Sequence, residues 1–216
     1  RENAEELRAG IALICDTGLY ADGRPAITTQ LRGLLGEEIT VRAADRDLHS
    51  GSFGGLAANP IQVLVNALAT VKDDSGRITL PGFYDGVEEL SDQLRADWES
   101  LGFDAGDFLS RVGLKHPVGE RGRMALEMVW NRPTFEINGI TGGYTGEGFK
   151  TVLPAEARAK VSFRLTGTQD PQSIREAFRG AARRLALSGT PFRSDTRAIP
   201  FVSYRGDEAV PDYEYG

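Results

Sequence analysis

From Ala157 to Leu165 the chain alternates its side chains one for one, with Val161, Phe163 and Leu165 interleaved with Lys160, Ser162 and Arg164. Successive side chains of a strand point to opposite faces, so this pattern predicts a half-buried strand with one face on a core and the other toward water. Ile39 and Val41 alternate in the same way with Glu38, Thr40 and Arg42, predicting a strand over Glu37 to Ala43, and Thr134 to Ile137 gives another. Pro25 to Arg32 is a further strand candidate. Between these runs the period changes. Asn59 and Pro60 form an N-cap and first helical residue, followed by Ile61, Leu64, Val65, Leu68 and Val71 on one helical face, which is either core or a partner surface. Asp170-Pro171 opens a second helix with Ile174, Phe178, Ala181, Ala182 and Leu185 inward, stopping near Gly189, and a last strand is expected between Phe192 and Tyr204.

The segment Lys72 to Arg132 interrupts this order and reads as a helical insertion. Val87, Leu90, Leu94, Trp98 and Leu101 mark one helix that Gly102 would close, with shorter helical stretches from Asp104 to Val112 and from Glu120 to Trp130. With the insertion set aside, the order from Glu37 is strand, helix, strand, strand, helix, strand. This predicts an α+β fold: a ferredoxin-like two-layer sandwich (βαββαβ) with two helices on one face of an antiparallel sheet. Ahead of it, Glu2 to Ala9 reads as helix and Ile11 to Cys15 as a strand buried on both faces, the pattern of an α/β domain. The acidic tail from Asp207 has little to bury.

A formal net charge of −6 without a cationic stripe argues against a nucleic-acid partner. The one cysteine, Cys15, lies in an apolar run, so a disulfide framework is excluded and a reducing, cytoplasmic setting is expected. No apolar run approaches the roughly 20 residues that span a bilayer. The chain begins at Arg1 rather than methionine, and a piece of a longer protein is expected.

Candidates for chemistry are few. His49 lies in the glycine-rich turn Asp47-Leu48-His49-Ser50-Gly51-Ser52-Phe53-Gly54-Gly55, where an imidazole is placed for chemistry or simply caps the turn. Asp16 follows the buried run, at a strand end where α/β sheets gather ligands, and is a metal-binding or catalytic carboxylate or a turn aspartate. The loop from Gly139 to Thr151 is glycine-dense, but a strand rather than a helix follows it, which disfavours phosphate binding. It suits a backbone laid against substrate, with Thr151 and Arg164 as polar contacts; an arginine on a strand is otherwise solvated or salt-bridged. His116 has no assigned role. HExxH, paired-cysteine and GxSxG patterns are all missing, so these motifs close neither a metal site nor a serine nucleophile.

Taken together, Cys15-Asp16-Thr17, Pro25-Ala26-Ile27-Thr28 through Leu31-Arg32-Gly33, the histidine turn, Pro81-Gly82-Phe83-Tyr84-Asp85, Pro133 to Gly143, Gly146 to Pro154 and Ser162-Phe163-Arg164-Leu165 resemble the di-zinc aminoacylase/carnosinase type of metallopeptidase. Phe83-Tyr84-Asp85 and the long insertion look most like its carnosinase-like dipeptidase branch. The resemblance implies a zinc-dependent hydrolase of dipeptides or other small amides, working as a homodimer with two zinc ions in each full-length subunit. Residues 37–204 would form its dimerisation (lid) domain, with the insertion over about 72–132. Residues 1–36 would end the first segment of the catalytic domain, and residues 205–216 would be a tail. It further implies that Asp16 is a zinc ligand, that His49 stabilises the oxyanion in the partner's active site, and that Thr151 and Arg164 contact substrate, the arginine through a terminal carboxylate. The family's histidine-aspartate segment, paired glutamates and C-terminal histidine ligand have no counterpart in these residues, so this piece alone would bind no zinc stably. The alternative is a non-catalytic module that dimerises through the Pro60 to Val71 helix and a sheet edge.

Overall fold

The computed structural model describes residues 4–6, 8–11, 20, 26–188, 203–205 and 208–210, and side chains up to residue 183. It divides into two compact units, Arg1–Leu31 and Arg32–Gly216. In the first, residues 4–6 form a turn where a helix was expected; an eight-residue helix is marginal without an apolar face to bury. Of the buried strand expected over Ile11 to Cys15, residues 12–15 lie outside the described residues, and Ile11 is exposed and forms no strand.

The second unit is built on a three-stranded antiparallel sheet. Strand β1 (Gly33–Arg42) and strand β3 (Thr134–Gly142) flank strand β5 (Glu156–Leu165) in the order β1–β5–β3. β5 alternates buried and outward residues along its length, from Ala157 and Ala159 to Phe163 and Leu165, as its sequence requires. Helix α2 (Pro60–Ala69) and helix α6 (Pro171–Ser188) pack on the buried face and against each other. The rings of Phe135 and Phe178 each lie 5.2 Å from that of Phe163, and the Phe83 ring 6.0 Å, so the central strand holds the aromatic centre of the core. The α+β two-layer architecture with helices on one face is thus the one observed.

Several boundaries differ from expectation. Residues 26–32 form no strand; β1 starts at Gly33, opposite Leu165, where its ladder partner ends. β3 runs on to Gly142 through a bulge between Ile137 and Gly139, so the first residues of the glycine-dense segment are sheet rather than loop. Gly142 serves close packing there, since a Cβ would lie 3.0 Å from Ala157 Cβ and 3.3 Å from Ile61 on α2. Residues 192–202 of the expected last strand lie outside the described residues. Strand β6 (Ser203–Arg205) pairs with strand β7 (Glu208–Val210) in a hairpin, which puts strand in the acidic tail.

The insertion carries helix α3 (Asp92–Ser100), helix α4 (Ala105–Ser110) and helix α5 (Ala125–Trp130). Ser91 and Asp104 cap the first two through their side-chain oxygens. Arg32 instead serves the far end of α5, its guanidinium donating to the carbonyls of Met128 (3.4 Å) and Arg132 (3.2 Å). Phe83 roots the insertion in the core, and its carbonyl accepts from buried Gln169. An ion network completes the docking. Arg132, 2% exposed, donates twice to Glu120 at 2.8 Å and once to Glu89 at 3.2 Å, while Arg123 donates to Glu127 at 2.8 Å and also pairs with Glu89.

Candidate functional site

Two short strands at one end of the sheet bring the candidate residues together. Strand β2 (Leu48–His49) follows β1, strand β4 (Val152–Leu153) precedes β5, and they pair antiparallel with His49 opposite Val152. Three hydrogen bonds hold this small ladder. Ser50 N–H donates to the Thr151 carbonyl (2.9 Å), Ala43 N–H to the Ala155 carbonyl (2.9 Å), and Ala155 N–H to the Asp47 carboxylate (2.8 Å). The ladder sets His49 Nε2 3.2 Å from Thr151 Oγ1, although the two residues stand 102 apart in the chain. Both are exposed.

His49 is also the N-cap of the short helix α1 (Ser50–Phe53), its Nδ1 accepting the Gly51 N–H at 2.9 Å. The turn-capping and functional readings therefore fall on different ring nitrogens. Nδ1 serves the turn, and Nε2 faces Thr151 and solvent. Asp47 and Gly51 were not singled out from sequence, although the acid two residues before the histidine and the glycine two after it were visible signals.

Arg164 is placed elsewhere. It lies on the outward face of β5, opposite Leu34 and Thr134, eight residues beyond Glu156 and hence about 26 Å along the strand from the end that carries the histidine ladder. Its charge is felt by Arg32, whose guanidinium pKa is lowered first by burial and then by Arg164. The structure thus joins His49 to Thr151 and leaves Arg164 at the opposite end of the sheet. Asp16 lies outside the described residues. Among the described residues, no group of three or more histidine, cysteine, aspartate or glutamate side chains is placed to hold a metal ion, and no helix is long and apolar enough to cross a membrane.

The described sandwich thus displays one polar pair, His49 and Thr151, on a small ladder at one end of its sheet. The family model for the peptidase dimerisation domain of M20 enzymes matches residues 29–190, and the chain belongs to that family. It is 31% identical over 176 residues to the Cys-Gly metallodipeptidase of Schizosaccharomyces pombe, covering 81% of this chain and 37% of that protein. It is 29% identical over 207 residues to the Beta-Ala-His dipeptidase of Rattus norvegicus, covering 89% of this chain and 42% of that protein. Among solved structures, an M20 family metallo-carboxypeptidase from Sulfolobus solfataricus superposes with a TM-score of 0.73 at 32% identity, covering 85% of this chain and 48% of that one. The chain therefore spans about two fifths of the length of these curated relatives.

Proposed function

We propose that this chain is the lid and dimerisation region of a zinc-dependent metallopeptidase that hydrolyses dipeptides or other small amides, and that His49 stabilises the oxyanion at the scissile carbonyl in a partner subunit's active site. The observation that carries this reading is the exposed His49–Thr151 pair, held by a dedicated ladder at the end of the sheet. An N–H or O–H donor aimed at a developing oxyanion lowers the barrier of acyl transfer by about 3 kcal/mol. The similarity to two dipeptidases and a metallo-carboxypeptidase supports the reaction class.

In this reading residues 37–204 are the lid, residues 1–36 end a catalytic segment, and residues 205–216 form a tail. Arg164 binds the substrate's terminal carboxylate, and Asp16 is one ligand of a pair of zinc ions. The described residues do not by themselves fit a zinc ion, so the remaining ligands are assigned to other parts of the full-length protein. When bound, the ions would supply an activated water for attack on the amide. A cytoplasmic setting accords with the single cysteine. In the full-length enzyme, His49→Ala should lower kcat on the order of a hundredfold or more at constant zinc content. Unchanged turnover would remove His49 from the reaction.

The sheet edge favours dimerisation in either an enzyme or a non-catalytic module. Strand β3 pairs only with β5 among the described residues, and Ile137 (45% exposed) and Ile140 (49%) stand partly bare on its helix-facing side. Val65 on α2, 46% exposed, continues the stripe of Ile61 beside it. Ile140→Lys should shift sedimentation from dimer to monomer with the circular dichroism unchanged; a persistent dimer would move the interface elsewhere. Loss of the dimer together with full activity in His49→Ala would select the non-catalytic module.

A further inference from the structure

We infer that the Gly51 amide fixes which nitrogen of His49 carries the proton, making Gly51 a positioning residue for the pair. Gly51 N–H donates to Nδ1 at 2.9 Å. A ring nitrogen that accepts a hydrogen bond presents its lone pair, so the proton of the neutral imidazole sits on Nε2. Nε2 faces Thr151 Oγ1 at 3.2 Å, and with the proton there it is the nitrogen that donates. The threonine oxygen accepts, and its own hydrogen is free to point away from the ring. Oγ1–H is then the outward donor, and Nε2–H is given to an oxyanion only by turning from the threonine oxygen or being shared with it. The other tautomer would set the Gly51 N–H against a second N–H and leave Nε2 with no hydrogen to give to an oxyanion.

The residue at position 51 has to be glycine for this arrangement, for a reason other than backbone freedom. Gly51 has no positive φ and sits within α1. A Cβ at that position would lie 2.7 Å from His49 Cε1 and 2.9 Å from Nδ1, so any side chain would push the ring off the amide. The glycine makes room for the imidazole and its N–H sets the tautomer. That the pair then acts on a substrate rests on the proposed function, whereas the position of the proton does not.

The 216-residue chain contains only two histidines, His49 and His116, so nitrogen NMR of the 15N-labelled chain at alkaline pH reads this directly, with His116→Gln assigning the signals. The expected spectrum shows His49 with Nδ1 unprotonated and Nε2 protonated, and a scalar coupling across the hydrogen bond between the Gly51 amide nitrogen and Nδ1. Gly51→Ala should abolish that coupling and leave a mixture of tautomers, as in free imidazole. Protonated Nδ1 in the unmodified chain, absence of the coupling, or a Gly51→Ala spectrum identical to the parent would each overturn the inference. If the alanine variant loses its fold, the coupling in the unmodified chain decides alone. In the full-length enzyme, Gly51→Ala should lower kcat about tenfold or more, with KM changed less than about twofold. If the coupling is present while neither Gly51→Ala nor His49→Ala alters turnover, the proton assignment stands and the proposed oxyanion role falls.

Discussion

Arg132→Met tests how the insertion is fastened to the sandwich. The arginine is 2% exposed and gives Glu120 two hydrogen bonds of 2.8 Å and Glu89 one of 3.2 Å, with the Tyr84 ring 5.1 Å from its guanidinium carbon. Methionine keeps the apolar length and removes the charge. Glu120, its side chain only 11% exposed, would then retain Arg77 at 3.2 Å and Arg123 at 3.8 Å. Breaking a buried pair from one side costs about 3–5 kcal/mol, because it leaves an uncompensated charge. The two remaining arginines and the exposure of Glu89 put the cost here at the lower end, about 3 kcal/mol. Adding Glu120→Gln removes the stranded charge, so the double variant should recover about 2 kcal/mol of the summed single losses. Urea unfolding at neutral pH gives all four corners of the cycle. The two tryptophans, Trp98 and Trp130, stack edge to face inside the insertion, and their fluorescence reports it locally beside circular dichroism for the whole. A single-variant loss under about 1 kcal/mol, or strictly additive losses, would refute the view that the network depends on compensation of buried charge.

Two further outcomes follow from the same junction. At Gly86 φ is +79° and a Cβ would lie 2.7 Å from Thr168 Oγ1 and 2.9 Å from Thr168 C, so Gly86→Ala should cost about 2 kcal/mol or more. Gly36→Ala, with nothing within 4 Å and no positive φ, should be neutral or slightly stabilising; equal Tm shifts for the two would refute the steric argument. The Glu89 carboxyl is held below its ordinary range, chiefly by the hydrogen bond from Arg123, and Glu156 and Asp170 are lowered chiefly by Arg158 and Ser173. Depressed carboxyls contribute stability that is complete above the unfolded pKa. That contribution is lost as pH falls from the ordinary carboxylate value through the folded one. Denaturation midpoints should therefore be level at neutral pH and drop in acid, with a shallower drop in Glu89→Gln; an unchanged slope would exclude Glu89 from the effect.

The parts of the fold legible from sequence were those where one local pattern determines the outcome. The alternation in β5 and the Asn59-Pro60 and Asp170-Pro171 starts each match the structure, because burying one face selects both period and register. Residues 26–32 misled because apolar content with no ladder partner among the described residues does not make a strand. The glycines of 139–142 concealed the end of β3, since glycine signals a turn locally while here it admits Ile61 against the sheet. Nothing local announces the ion network either, because Glu89, Glu120, Arg123 and Arg132 are ordinary surface types until the insertion folds over them. The same holds for the site. His49 and Thr151 were each singled out, but Thr151 was grouped with Arg164, and only the two-residue ladder brings it to the histidine.

The length of β5 limits how the candidate residues can cooperate. Thr151 and His49 belong to loops leaving the end of the sheet where Arg42 faces Glu156, and Arg164 stands near the other end, opposite Leu34. Those ends are about 26 Å apart at 3.3 Å per residue, while an extended dipeptide spans only about 7 Å. No substrate of that size can touch all three residues of one chain. A site that uses the donor pair for the oxyanion and the arginine for a terminal carboxylate must therefore draw them from two copies, so that each copy lends its pair to one site and its arginine to another. Mixing full-length subunits carrying His49→Ala with subunits carrying Arg164→Ala separates this from any single-chain arrangement. A mixed dimer then has one site with both lesions and one site with neither, so about half of the activity per dimer should return from two inactive parents. A mixture as inactive as its parents would show that the pair and the arginine serve the same site of the same chain, against the spacing along β5.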